Sequence, residues 1–258
     1  MALIALAGKA GVGKDLTANI INYLCYKRDI EASNKELCFM SLEEFQNVTY
    51  SRLLPNKYRT FKNVKFADKL KDCVCLILGC TRSQLEDRDF KEQYLGEEWD
   101  RTIYTVRYGI KGEFYSESLN VTDAIIDREF VKESLCNDAR IQERVERMTY
   151  RSFMQLFGTE VGRNLHPNTW CNTIMQGYDD SDNWILSDTR FPNEIEAIKN
   201  KGGLLIKIVR EGYENTGYHA SETALDSYTK FDYVIENDST IEDLIEKIKN
   251  ILIKEKIL

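Results

Sequence analysis

Residues 4–20 read IALAGKAGVGKDLTANI, and the fold follows from how that stretch divides. Residues 2 to 7 form a short continuous apolar run, glycines at 8, 11 and 13 interrupt it, and a helical periodicity then runs from Asp15 to about Lys27. Strand, glycine loop and helix follow one another, which is the start of an α/β unit. Gly8-x-x-x-x-Gly13-Lys14 sits directly after the strand and opens the helix. In that place glycines let backbone N–H groups wrap a phosphate, the helix N-terminus adds partial positive charge, and the lysine reaches the β and γ oxygens. A glycine turn that merely closes a strand leaves Lys14 unexplained.

Asp15 departs from the usual loop, which carries serine or threonine there to hold magnesium. A carboxylate about 4 Å from a triphosphate charge costs roughly 1 kcal/mol in water and about 4 at an effective dielectric of 20. Two offsets are visible. An acid in the first helical turn gains roughly 0.3–1 kcal/mol, and magnesium between carboxylate and phosphate turns repulsion into coordination, directly or through water. The expectation is that Asp15 works through the metal, with Thr17 a second hydroxyl nearby.

The 258 residues, 43% hydrophobic and 30% charged with three prolines, suit one folded domain with insertions. A formal charge of −7 gives no electrostatic footprint for a nucleic-acid duplex, so no nucleic-acid partner is expected. Seven cysteines are an odd number, and Cys73-x-Cys75 lacks the two-residue spacer of zinc or redox motifs, so reduced structural thiols are expected. The apolar start MALIALA is too short for a signal-peptide core or a membrane span. The expected location is the cytoplasm, with no membrane partner.

Further along, VKFADKLKDCVCLILG reads as a short strand and a helix ending at Gly79. From 82 to 148 the pattern weakens into an insertion subdomain, where charged helical stretches flank RTIYTVRYGIKGEFY, a hairpin about GIKG. Helices are then expected at 149–165 and 168–177. NWILSDTR is a strand, PNEIEAIKNKGG a helix opened by Pro192, and LLIKIVR and FDYVIEN are strands. The last helix is read as opened by the capping box Ser239-x-x-Glu242, with Ile241, Leu244, Ile245, Ile248 and Leu252 as its core stripe. The alternation implies an α/β fold with a doubly wound parallel sheet and ligands at the carboxyl ends of its strands.

Two further constellations carry chemistry. In SDTRFPNE, Asp188 and Arg190 stand two apart on a strand, so they share a face at its carboxyl end. An acid there holds metal or accepts a proton, and an arginine forks two phosphate oxygens; the competing reading is a structural ion pair. In YRSFMQLFGTEVGRNLHPNTW, Arg151, Glu160 and Arg163 surround Gly158 and Thr159, with a solvated helix face as the competing reading.

Taken together, GKAGVGKD, FADKLK, MQLFGTEVGR, SDTRFPNEIEA, IKIVR followed by HASE, and VIENDSTIEDL resemble the phage-type deoxynucleoside monophosphate kinases, P-loop relatives of the nucleoside monophosphate kinases. The resemblance covers the first 80 residues and residues 149 to 250, and an acid after the loop lysine is usual in that family. It implies a P-loop NTPase-type fold, ATP and Mg2+ as cofactors, and phosphoryl transfer from ATP to a deoxynucleoside 5′-monophosphate. Gly11, Gly13, Lys14, Asp15 and Thr17 would then bind the ATP phosphates and magnesium, with Asp15 the metal ligand. Lys71 would approach the monophosphate side, and Arg151, Gly158, Thr159, Arg163 and Trp170 would form the acceptor pocket.

By the same resemblance, Asp188, Arg190 and Glu194 form an acid–arginine–acid cluster beside sugar and phosphate. Arg210, His219 and Glu222 fall in a lid over 210–228, and Asn237 and Asp238 lie where a loop meets adenine. Lys14, Asp188, Arg190 and Arg210 are the expected catalytic set. Host cytoplasm is the expected location if the chain is phage-encoded, and a homodimer is compatible with the reading. Two alternatives stay open: a P-loop kinase for another phosphorylated metabolite, and an ATP-driven switch or nucleic-acid motor subunit.

Overall fold

The computed structural model describes residues 2–32, 40–50, 61–110, 113–120, 140–213 and 223–258. In chain order its first elements are β1 (Leu3–Ala7), α1 (Lys14–Ala32), α2 (Leu42–Tyr50), β2 (Lys62–Val64) and α3 (Ala67–Leu78). Next come α4 (Arg82–Glu86), α5 (Arg88–Lys91), β3 (Arg101–Ile110), β4 (Glu113–Asn120), β5 (Arg140–Glu146) and α6 (Tyr150–Leu156). A π-helix (Phe157–Arg163) leads to α7 (Thr169–Met175), β6 (Trp184–Thr189), α8 (Pro192–Asn200), β7 (Leu204–Val209), β8 (Tyr233–Glu236) and α9 (Ile241–Lys254).

The chain divides into two compact units, residues 1–70 with 162–258, and residues 71–161. The first unit is built on a five-stranded sheet in the order β2-β6-β1-β7-β8, and every pairing in it is parallel. Such strands are covered on both faces, and alternate residues go to opposite cores. Ile4 and Leu6 of β1 pack with Ile185, Ile206, Ile208 and Ile235 against Ile20, Ile21 and Leu24 of α1 and Leu244, Ile248 and Leu252 of α9. Leu3 and Ala5 pack on the other side with Leu186 and Leu205 against Cys171 and Ile174 of α7 and Ile195 and Ile198 of α8. This is the doubly wound α/β arrangement that the strand and helix alternation predicts.

The second unit carries a three-stranded sheet in the order β4-β3-β5. β3 and β4 are antiparallel, with Ile110 opposite Glu113, so both strands of the expected hairpin are present; residues 111 and 112 of its turn lie outside the described residues. An aromatic row runs through α6, where Trp99 meets Phe153 edge-on and Phe153 stacks on Phe157 at 6.0 Å.

Two expectations are corrected. The helix read as continuous from 149 to 165 is α-helical only to Leu156 and then widens into a π-helix over FGTEVGR, a local insertion that two glycines make easier because they resist regular winding. The cap of the last helix is Thr240, whose hydroxyl accepts the Asp243 N–H; Ser239 stands one residue too early. Its stripe turns inward at Leu244, Ile248, Ile251 and Leu252, leaving Ile241 half exposed.

Candidate functional site

The loop between β1 and α1 lies at the carboxyl edge of the parallel sheet. Gly11 and Gly13 have φ of 81° and 103°, in the region that L side chains rarely adopt. A Cβ on Gly11 would stand 2.6 Å from the Tyr213 ring, and one on Gly13 would stand 2.6 Å from Asn237 Nδ2. The positive φ is what calls for glycine at both positions, and the two side chains pack into the space that a Cβ would take. Asn237, expected near adenine, donates its side-chain amide to the Val12 carbonyl at 2.8 Å and so fastens the loop to the end of β8.

Lys14 curls back over this loop, its ammonium donating to the carbonyls of Gly8 and Lys9, both at 2.7 Å. Burial first, and then the charge of Arg190, push the Lys14 ammonium down to about 8, although Asp15 and Asp188 pull the other way. Burial penalises the charged form and a neighbouring cation adds to that penalty. Thr17, in contrast, is fully buried and its hydroxyl donates to the Gly13 carbonyl at 3.0 Å, which tightens the first turn of α1.

Asp15 is 64% exposed, and its Oδ1 lies 2.9 Å from Lys65 Nζ. The same oxygen accepts from Ser187 Oγ at 3.4 Å. Sequence reasoning singles out neither partner. Lys65 carries a usable signal, because it follows the strand that precedes FADKLK, at the sheet edge where ligands of parallel sheets bind. Ser187 carries none, since a serine on a buried strand is ordinary.

Asp188 is brought to this edge by β6, but its carboxylate is engaged. Oδ1 accepts the Phe66 N–H at 2.7 Å and Oδ2 the Ala67 N–H at 3.0 Å, so it caps the start of α3. Burial raises its carboxyl, while those N–H groups, Arg190 and Lys65 hold it down. Glu194, 2% exposed, accepts the N–H groups of Arg190 at 2.8 Å and Phe191 at 3.1 Å. Arg163 donates to its other oxygen at 2.9 Å. Burial, then Asp188, push the Glu194 carboxyl up to about 7 against the pull of these donors.

Arg163 also lies over the Phe191 ring, 3.5 Å from its centroid. Trp170 is buried, and its ring is so close to Gly162 that a Cβ there would stand 2.4 Å away. Gly162, in the π-helix segment that holds Gly158 and Thr159, is thus a close-approach glycine of this region. Beside the loop opens a cavity of about 650 Å³ lined by Gly8, Lys9, Thr189, Arg190, Arg210 and Tyr213 among others. Arg210 lies over the Tyr213 ring at 5.3 Å, and the buried Thr189 hydroxyl at the cavity wall has no hydrogen-bond partner among the described residues.

In the second unit, Lys71 pairs with Glu86 at 2.7 Å and Arg151 with Glu92. Thr159 donates its hydroxyl to the Gln155 carbonyl at 2.7 Å, one turn back, beside Gly158 in the π-helix. His219 and Glu222, expected in the lid, lie outside the described residues. Among the described residues no three His, Cys, Asp or Glu side chains gather as a metal site. A hard cation here would take Asp15 and fill its remaining positions with phosphate oxygens and water, the usual habit of magnesium. No helix among the described residues is long and apolar enough to cross a membrane.

Comparison with known proteins gives the family. The family model described as Deoxynucleotide monophosphate kinase matches residues 2–248. The deoxynucleotide monophosphate kinase of Enterobacteria phage T4 is 25% identical over 279 aligned positions, covering 98% of this chain and 99% of that one. The deoxynucleoside-5′-monophosphate kinase of Escherichia phage T5 is 26% identical over 244, covering 86% and 84%. The Escherichia phage RB69 deoxynucleotide monophosphate kinase is 35% identical over 108, where the match spans 40% of this chain and 44% of that relative's length. With the family model spanning nearly its whole length, the chain belongs to the deoxynucleotide monophosphate kinase family of phosphotransferases.

Proposed function

We propose that this chain transfers the γ-phosphoryl group of ATP to a deoxynucleoside 5′-monophosphate, giving ADP and the deoxynucleoside diphosphate. The observation that carries the reading is the glycine cradle between β1 and α1, with Gly11 and Gly13 at positive φ and the Lys14 ammonium held over it by the carbonyls of Gly8 and Lys9. The family and the names of the T4 and T5 relatives support the choice of acceptor.

An oxygen of the acceptor phosphate forms a bond to the γ phosphorus, and the bond from that phosphorus to the β–γ bridging oxygen breaks, leaving its electron pair on ADP. The acceptor is already an anion, so positioning and charge neutralisation dominate and no general base is required. Lys14 spans the β and γ oxygens from the loop, and Arg190 and Arg210 reach the transferring group from the ends of β6 and β7. On the acceptor side, Arg163 offers its guanidinium to the 5′-phosphate, Trp170 bounds the base, and Asp188 and Glu194 hold the adjoining backbone in place. Magnesium, when bound by Asp15 and the phosphates, neutralises the β and γ oxygens. The reaction is assigned to the cytoplasm, the host's if the chain is phage-encoded, on free nucleotides.

ADP release coupled to a spectroscopic readout, with ATP, magnesium and a panel of deoxy- and ribonucleoside monophosphates, tests the proposal. Release that depends on a deoxynucleoside monophosphate is expected. Release that responds to DNA and to no monophosphate overturns it.

A further inference from the structure

Asp15 poses a problem that the loop alone does not solve: a carboxylate in the first turn of α1 faces the place where polyphosphate charge accumulates. The structure supplies a protein cation for it. Lys65 sits just past β2, between the buried side chains of Val64 and Phe66, and its backbone is held on every side. Its N–H donates to Asp68 Oδ2 at 2.9 Å, its carbonyl accepts the Asp68 N–H at 3.0 Å, and the next two N–H groups donate to Asp188. From this anchored position the side chain crosses β6, which lies between β2 and β1 in the sheet, and meets Asp15 Oδ1 at 2.9 Å.

Ser187 of β6 donates to the same oxygen at 3.4 Å, so the carboxylate is oriented from β6 and from the residue that follows β2. Lys65 is also near enough to act electrostatically on both Lys14 and Asp188. An acid that close to the cradle otherwise repels the ligand, and a cation within hydrogen-bond distance of it cancels most of that field.

We propose that Lys65 is a positioning residue of the donor site, which acts through Asp15: by pairing with that carboxylate it neutralises the acidic first turn of α1 and makes the loop compatible with a polyphosphate before any metal arrives. The inference rests on the loop being the ATP site. It goes beyond that reading because it assigns a role to a residue outside the loop and makes that role conditional on one carboxylate.

The test is direct binding of ATP in EDTA by titration calorimetry, with no turnover and no metal. Wild type, Lys65→Met, Asp15→Asn, the double variant and Lys65→Arg are compared. Lys65→Met is expected to weaken binding about tenfold, a figure set by one uncompensated charge partly screened by water. Asp15→Asn binds at least as tightly as wild type, the double variant matches Asp15→Asn, and Lys65→Arg recovers most of the affinity. Melting curves check the fold, and Lys65→Gln replaces the methionine variant if that one melts early. Equal losses from Lys65→Met in the wild-type and Asp15→Asn backgrounds overturn the proposal, as does no loss at all. Failure of wild type to bind ATP overturns instead the assignment of the loop.

Discussion

At the scale of single residues, the site is a lattice of charges that are each held by another charge or by backbone. Glu194 is the most constrained, because it is buried, shares its field with Asp188 and still accepts two N–H groups and the Arg163 guanidinium. Its carboxyl is raised from 4.5 to about 7, so the folded state holds a proton there that the unfolded chain has already released. The unfolded state binds fewer protons between these values, and stability attributable to this group is present below about 4.5 and lost as pH rises through 7. The loss is on the order of 3 kcal/mol for the full shift. Urea unfolding of wild type and Glu194→Gln at pH 5 and pH 8 checks this: the advantage of wild type over the variant shrinks at the higher pH. Little of this is legible in the sequence. SDTRFPNE places Asp188, Arg190 and Glu194 together, but their hydrogen-bond partners Phe66 and Arg163 come from 122 and 31 residues away.

At the scale of elements, local chemistry is largely readable. Pro192 opens α8 at its first turn, glycine with φ of 66° follows α3, and the apolar spacing of α9 faces the core. The exceptions are places where two neighbours compete for one role. Ser239 and Thr240 are both good caps by type, and only the backbone conformation decides that Thr240 accepts the N3 N–H. Thr240→Ala is expected to cost about 1 kcal/mol of stability and Ser239→Ala close to nothing, measured as shifts of the urea midpoint at constant slope. The π-helix is equally hidden, because FGTEVGR carries no periodicity distinct from that of an α-helix; packing of Trp170 on Gly162 goes with the widened turn.

At the scale of the whole molecule, the parallel sheet gathers residues from β1, β2, β6, β7 and β8 along one edge, and binding there is linked to folding of the unit formed by residues 1–70 and 162–258. ATP at a hundred times its Kd is expected to raise the unfolding free energy of that unit by about 2.7 kcal/mol. Hydrogen exchange of core amides such as Leu6 and Leu186 reads the change; protection that stays the same rules the linkage out. Strand, glycine loop and helix at the amino terminus were determined by the sequence itself, because each depends on contacts within a few residues, and the α/β class was readable from the alternation of strand and helix patterns along the chain. The pairing of Asp15 with Lys65, the capping of α3 by Asp188 and the fastening of the loop by Asn237 were decided only in the tertiary structure. They follow from the strand order β2-β6-β1-β7-β8, which brings distant segments to one sheet edge and which no local period encodes.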